Sequence, residues 1–518
     1  MNVALRKKRN TLLGTITGFV LKIIQIIFPF ALRTIFIKTL GIQYLGLNSL
    51  FTSVLQVINL AELGISSALV FTMYKPIATN DKDKICALMK LYKSYYQIIG
   101  FVVLFAGIFV IPFLPKLISG EIPSNINLVV VYLMNLVATV LSYWLFAHRY
   151  SLFVAHQRND IINVTSIAVN LIVYAAQIVL LLIFHNYYIY LSVTILYQII
   201  FNVLIAFLSK KFYPDYSPVG SVPVDEKRQI NKKIKDLFTA KLGGVVNKSV
   251  DSIVISSFLG LSVLAIYQNY FYIVSTLMAM FMIFFSACNS GIGNSLIIST
   301  EEENKKLFYN INFITFFALN FCCASLICLY QPFMTLWLGK EYLLDFGLVI
   351  LFAVYLFAEE APRTMVIFKD AGGIWKEDKF RPLICAGVNL ILNLLLVNFI
   401  GLYGILISTI ISLLFIDIPW LIHNIDKHLL KIDKKHFVVK ILLYSLVICL
   451  CSVLSYFICC LIKVDNLYLM LFIRLILCTI ISFSLFILFF WKTKERKYMF
   501  SIAGSFFGKI FHQKNKKE

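Results

Sequence analysis

The chain has 518 residues, of which 60% are hydrophobic and 14% charged, against about 45–50% apolar and about 25% charged in soluble proteins. Its mean hydropathy is +0.85, and apolar runs of about 20 residues, enough to cross a bilayer, follow one another almost to the end. That makes it a polytopic membrane protein and excludes a soluble enzyme, a secreted disulfide scaffold and a nucleic-acid-binding protein, despite a net charge of +21.

Taken in chain order, the apolar runs predict fourteen helices at 12–36, 46–73, 95–118, 126–147, 159–184, 187–209, 237–259, 261–290, 307–330, 344–368, 380–400, 402–423, 437–461 and 467–491. The fold class expected is therefore an all-α polytopic bundle. Met1 to Asn10 is basic and leads straight into an apolar run, as an uncleaved first helix does. Abutting runs at His185-Asn186, Gly260 and Gly401 read as tight hairpins. An even number of spans puts both termini on one side.

Charge distribution sets the orientation. The N-terminus, the even-to-odd connections (with Arg363 and Arg381 at their edges) and the C-terminal tail hold 37 of the 47 Lys and Arg, whereas the opposite connections and their edges hold Lys38, Lys116, Lys340 and Lys463. The positive-inside rule then predicts that both termini are cytoplasmic. The eleven cysteines lie mostly within apolar runs, with no CxxC pair and no spaced Cys/His cluster. They read as small hydrophobes, and no zinc site or disulfide framework is expected.

Helices 1–2 and 7–8 resemble each other when shifted by 219 residues. Leu40-Gly41-Ile42 falls on Leu259-Gly260-Leu261, and the same shift carries Lys22 onto Lys241. Six helices separate the copies, so they form a parallel repeat. The expected organisation is a six-helix lobe at 1–209, a basic cytoplasmic linker at 210–236, a second six-helix lobe at 237–425, an extra helix pair at 426–491 and a basic amphipathic tail at 492–518. In transporters, substrate sites commonly lie between such repeats near the bilayer midplane.

Intramembrane charge is the most informative feature. An ionisable group at a helix centre costs roughly 2.5–3.5 kcal/mol on insertion scales, so it pairs or faces a cavity. Lys22 and Arg33 are 11 residues apart, which returns them to nearly one face roughly 16 Å apart along the axis. Lys241 and Lys248 share a face on helix 7, with Asp251 one turn further. Such a ladder of cations suits a phosphate or diphosphate, which Lys binds as a point charge and Arg bidentately. A second reading has Lys22 and Lys241 snorkelling to the inner headgroups, Arg33 reaching the outer ones, and Lys248 paired with Asp251. Lys440 and Arg474 sit near span ends and read as snorkelling too. Glu62, Glu359 and Glu360 are intramembrane carboxylates suited either to balancing these cations or to carrying a coupling ion. No P-loop, GxGxxG, HExxH or other nucleotide or metal signature is present, so no cofactor is expected beyond the transmembrane potential or a proton or sodium gradient. Gly14 and Gly18 are spaced for close helix packing. Tyr498 to Phe511 has the pattern of a surface-lying amphipathic helix.

Several stretches resemble the O-antigen and capsule repeat-unit flippases of the polysaccharide branch of the MOP (multidrug/oligosaccharidyl-lipid/polysaccharide) exporter superfamily. They are Leu40-Gly41-x-x-Tyr44-Leu45-Gly46-Leu47-Asn48, Ala61-Glu62-Leu63-Gly64-Ile65, Tyr74-Lys75-Pro76-Ile77, Leu336-Trp337-Leu338-Gly339-Lys340, Gly372-Gly373-Ile374-Trp375-Lys376 and Gly401-Leu402-Tyr403-Gly404. The resemblance implies two lobes working by alternating access on a polyprenyl-diphosphate-linked oligosaccharide, with polysaccharide polymerases or glycosyltransferases as partners. Family members have 12 helices, or 14 in the lipid II branch, so the extra pair here leaves the sub-branch open. The rival expectations are a cation-coupled multidrug exporter of the same superfamily and a polytopic polymerase or glycosyltransferase. The latter needs a sizeable outward loop with catalytic carboxylates, and the longest here runs only from about Gln331 to Leu343.

Overall fold

In the computed structural model, residues 3–462, 464–502 and 504 are described. Lys463 and most of the expected amphipathic tail lie outside that range, although 494–502 is helical. The protein is all-helical over the described residues and divides into two compact units, Met1–Gln268 and Asn269–Glu518.

The first unit contains α1 (Val3–Leu40), α2 (Ile42–Ile58), α3 (Ile65–Ala78), α4 (Lys82–Val110), α5 (Leu128–Trp144), α6 (Ala147–Ala155), α7 (Asn159–Phe184), α8 (Tyr187–Phe212), α9 (Val224–Leu259) and the start of α10 (Leu261–Ile298). The second holds the rest of α10, then α11 (Glu301–Trp337), α12 (Phe346–Glu360), α13 (Arg363–Ala371), α14 (Arg381–Ile400), α15 (Leu402–Ser412), α16 (Ile418–Ile425), α17 (Lys434–Cys460) and α18 (Leu467–Phe489). The π-helical stretch Leu413–Asp417 joins α15 to α16, and a second, Asp426–Leu430, extends α16, so that together they make one long element.

Among the described residues, eleven helices are long and apolar enough to cross a membrane, or twelve when α5 and α6, bent by 54°, count as one span. Each of the fourteen expected runs has its helical counterpart. The two that miss the length-and-hydropathy criterion do so for local reasons. α9 carries Lys241, Asn247, Lys248, Ser249, Asp251 and Ser252 in sequence, and α12 is only 15 residues long before Ala361-Pro362 turns the chain into α13.

Glycine conformations make the hairpins. Gly41 (φ 100°, ψ 165°) alone separates α1 from α2, and Gly260 (φ 92°, ψ 173°) alone separates α9 from α10. That region is essentially closed to residues with a Cβ. The shared geometry at positions 219 apart is the internal repeat expressed in backbone. Gly401 likewise joins α14 to α15 by itself, at φ 56°. Longer connections end in side-chain caps: Asn127, Asn186 and Asn466 each accept two amide hydrogen bonds at the start of the next helix, and Thr300 with Glu303 forms a capping box on α11, satisfying amides that would otherwise be orphaned.

In the first unit α1 lies along α7. Gly14 and Gly18 face Asp160 and Asn163, and Asn163 donates to the Gly14 carbonyl. α4 and α5 approach closely because Gly100 receives Trp144 and Gly107 receives Leu136. α9 packs on α2 and α3, so it belongs to the first unit, and the division falls inside α10. The expected lobe boundary at 210–236 differs from this by one helix. The reason is close packing: Gly46 of α2 has no room for a Cβ against the Leu261 backbone, nor has Gly64 against the Ile234 carbonyl and Leu237.

In the second unit α11 is the centre, with α12, α17 and α18 around it. Phe313, Phe316, Tyr444 and Phe486 interlock by edge and face contacts, the geometry aromatic rings prefer. Asn320 donates to the Ser482 carbonyl. The buried thiols Cys328, Cys459 and Cys478 fill the place where α11, α17 and α18 meet. The C-terminal pair is thus built onto the unit's core. Lys440 and Arg474, expected to snorkel, are instead held inside the unit: Lys440 pairs with Glu495 and lies over Tyr309, and Arg474 donates to the Cys328 carbonyl.

Candidate functional site

The cations of the first unit sit on α1 and α9. Lys22 is exposed on α1 and makes no hydrogen bond or ion pair among the described residues. Arg33, 11 residues on, is half-buried and its Nη1 donates to the Gln268 carbonyl at 3.3 Å. Gln268 in turn donates to Ser252 of α9 at 2.8 Å. Lys241 is exposed, and its Nζ donates to Ser67 of α3 at 3.0 Å. The side chain of Lys248 lies outside the described residues. Asp251 is buried and partnered. The structure therefore ties Arg33 to the α9–α10 corner and Lys241 to α3, each with its own neutral partner. Neither Lys22 nor Lys241 is neutralised by a carboxylate in an ion pair among the described residues.

Glu62 ends a 3-10 turn, Asn59–Glu62, where the chain breaks between α2 and α3 at left-handed Gly64. Its Oε1 accepts from Tyr96 at 2.5 Å and its Oε2 from Tyr143 at 3.3 Å. Tyr92, stacked on Tyr96, donates to Ser66 across the same break. The carboxylate is held by neutral donors from α4 and α5, not by Lys22 or Arg33. Sequence reasoning missed these tyrosines, since only the one-turn spacing of Tyr92 and Tyr96 on α4 hints at a shared face.

In the second unit the carboxylates are paired. Arg363 forks onto Glu360 at 2.7 and 2.9 Å and lies 3.8 Å from Glu359. Beside it lies a buried network whose pairing the sequence spacing does not show. Arg381 chelates Asp378 at 2.7 and 2.9 Å and reaches Asp417, while Lys369 and Asn424 add contacts to Asp378 at 3.2 and 3.1 Å. Asp417 lies in the first π-helical stretch, whose widened turn carries it into the unit. Two cations and two carboxylates at this depth neutralise one another, the condition under which buried charge is tolerated.

The second unit also has an apolar cavity of about 480 Å³, walled by α10, α11 and α18 through Leu277, Phe321, Leu326, Phe333, Phe472 and Leu475. Its volume and lining suit hydrocarbon. The sequence marks these residues merely as parts of apolar helices.

No protein-family model matches the chain, and none of the curated proteins matches it. Solved structures do. A lipid II flippase MurJ in an inward closed conformation is similar over 92% of this chain and 99% of its own, with a TM-score of 0.66 at 18% identity. An inward-facing multidrug resistance MATE family transporter of the MOP superfamily is similar over 80% of this chain and 98% of its own, with a TM-score of 0.60 at 16% identity. The Vibrio cholerae MATE transporter VcmN is similar over 82% and 97%, with a TM-score of 0.54 at 12% identity. The chain is a multi-pass membrane protein with the fold that a lipid II flippase shares with the MATE transporters of the MOP superfamily.

Proposed function

We propose that the protein is a flippase that carries polyprenyl-diphosphate-linked oligosaccharide repeat units from the inner to the outer leaflet of the plasma membrane by alternating access, for surface polysaccharide biosynthesis. The observation that carries this reading is that Lys22 and Lys241 are exposed and form no ion pair with a carboxylate among the described residues. Together with Arg33 and Lys248 they receive the diphosphate. The apolar cavity of the second unit accommodates a stretch of the polyprenyl chain. The fold likeness to a lipid II flippase, which spans more of this chain than the MATE likenesses do, supports the same reading. With both termini inside, an inside-negative potential drives the anion outward by about 2.3 kcal/mol per charge per 100 mV. Glu62, Asp251, Glu359 and Glu360 serve charge balance or proton or sodium coupling, and polymerases or glycosyltransferases are the expected partners.

The test is surface-polymer restoration in a host lacking its own repeat-unit flippase. Both lysines are exposed, so the Lys22→Ala, Lys241→Ala double variant should insert normally yet export no polymer, with Lys→Arg milder because charge is retained. Normal polymer from the well-expressed double variant overturns the assignment. A second reading, a cation-coupled multidrug exporter, is favoured by the Glu62 carboxylate and its two tyrosine donors. It predicts dye extrusion that Glu62→Gln abolishes and the lysine variants leave intact.

A further inference from the structure

Three cysteines far apart in the chain meet in the second unit. Cys328 of α11, Cys459 at the end of α17 and Cys478 of α18 are buried, and their Sγ atoms lie within 4.8 Å of one another. Cys459 and Cys478 are 3.8 Å apart, well beyond the roughly 2.04 Å of a disulfide. An ion bonded to thiolates at about 2.3 Å holds its sulfurs about 3.8–4.0 Å apart, so three-coordination asks the cluster to contract by under about 1 Å. Leu329, Tyr456 and Leu477 close around the thiols, and no histidine, aspartate or glutamate belongs to the group. An all-sulfur, water-poor set selects soft ions and rejects magnesium and calcium, while zinc asks for a fourth ligand.

Arg474 supplies the second observation. Its Nη1 donates to the Cys328 carbonyl at 3.3 Å, and its Nε is buried with no hydrogen-bond partner among the described residues. A guanidinium with an idle donor one turn from Cys478 is what an anionic metal–thiolate centre requires nearby, because uncompensated charge is excluded from such an interior.

We propose that Cys328, Cys459 and Cys478 form a binding site for one soft d10 cation such as Cu(I), held by their three sulfurs with Arg474 as the counter-charge. On binding Cu(I), two S–H bonds give up their protons to solvent and metal–sulfur bonds replace them, while the third sulfur ligates as a neutral thiol, so that the centre carries the one negative charge that Arg474 balances, with no change of oxidation state. The ion ties α17 and α18 to α11 beside the apolar cavity, to whose wall Leu329 and Leu475 also belong. The site does not depend on what the protein transports.

The experiment uses the reduced full-length protein in detergent under anaerobic conditions, titrated with Cu(I) against a chromogenic Cu(I) chelator. Wild type should hold one more equivalent than Cys459→Ser or Cys478→Ser, and should gain thermal stability on binding that those variants lose. Cys449→Ser with Cys460→Ser, both exposed positions, should match wild type. Protection in the unaltered protein needs no variant: on prolonged labelling, in which transient opening of the helices exposes buried thiols, Cu(I) should slow maleimide reaction at Cys328, Cys459 and Cys478 as mapped by mass spectrometry, leaving exposed Cys449 reactive at once. Equal copper in wild type and the well-folded Cys459→Ser variant overturns the site. So do unprotected thiols, or a Cys459–Cys478 disulfide in protein isolated without reductant.

Discussion

Arg381 is held between two carboxylates away from water, and its removal strands Asp417 and leaves Asp378 to Lys369 and Asn424 alone. Breaking such a buried pair typically costs about 3–5 kcal/mol, so Arg381→Ala should lower the unfolding temperature of the detergent-solubilised protein sharply. Arg381→Lys should recover part of the loss, because an ammonium keeps the charge but cannot chelate Asp378 as the guanidinium does. Glu62→Ala leaves the Tyr96 and Tyr143 hydroxyls without their acceptor and should cost about 1–3 kcal/mol, while Glu62→Gln, which keeps an acceptor oxygen, should cost less in the same assay. At this scale the sequence reveals a residue when it is locally out of place. Lys22, Lys241 and Glu62 stand out because charge within an apolar run is anomalous by itself. Tyr96, Tyr143 and Cys459 do not stand out, because each acquires its meaning from a partner on another helix, and spacing along the chain carries no trace of that contact.

Helix ends were legible wherever a residue with its own conformational preference marks them. The run at 159–184 is α7 to the residue, closed by left-handed His185 and followed by the Asn186 cap. Boundaries fail where the helix outlasts its apolar stretch: α11 runs on to Trp337, so Gln331, read as the start of a loop, is helical and donates to the Leu344 carbonyl. The glycine breaks allow a direct test. A Cβ at Gly260 would lie 2.8 Å from the Ser119 carbonyl oxygen on a backbone at φ 92°. Gly260→Ala should therefore destabilise by more than the roughly 1–2 kcal/mol that a left-handed conformation alone exacts from an L-residue. Gly291→Ala, with nothing within 4 Å of its added methyl, should be neutral or slightly stabilising, by up to about 1 kcal/mol. Thermal unfolding of the two variants side by side separates strain from simple loss of a glycine.

Across the whole chain, the count and order of helices followed from apolar periodicity, and the repeat from one glycine and one lysine in a common register. The grouping of α9 with the first unit did not, since it depends on how closely Gly46 and Gly64 let backbones approach. Orientation is open to labelling. In a variant with Cys449 and Cys460 replaced, single cysteines at the exposed positions Asn186 and Lys340 should react with an impermeant thiol reagent in intact cells, and one at Lys232 should not. Reaction at Lys232 from outside reverses the N-in arrangement.

The one-residue connections at Gly41, Gly260 and Gly401 bear on how the protein is made. A helical hairpin that enters the bilayer must drag its connecting segment through hydrocarbon, where each charged side chain adds roughly 2.5–3.5 kcal/mol. Here α9–α10 and α14–α15 are each joined by a single glycine with no charged residue in the adjoining turns, so their translocated cargo is little more than one peptide unit, whereas α1–α2 shares the one-glycine turn but takes Lys38 across with it. With the expected N-in arrangement, each of these pairs is suited to partition laterally from the translocon as a closed hairpin, its basic flanks staying on the side on which they were synthesised.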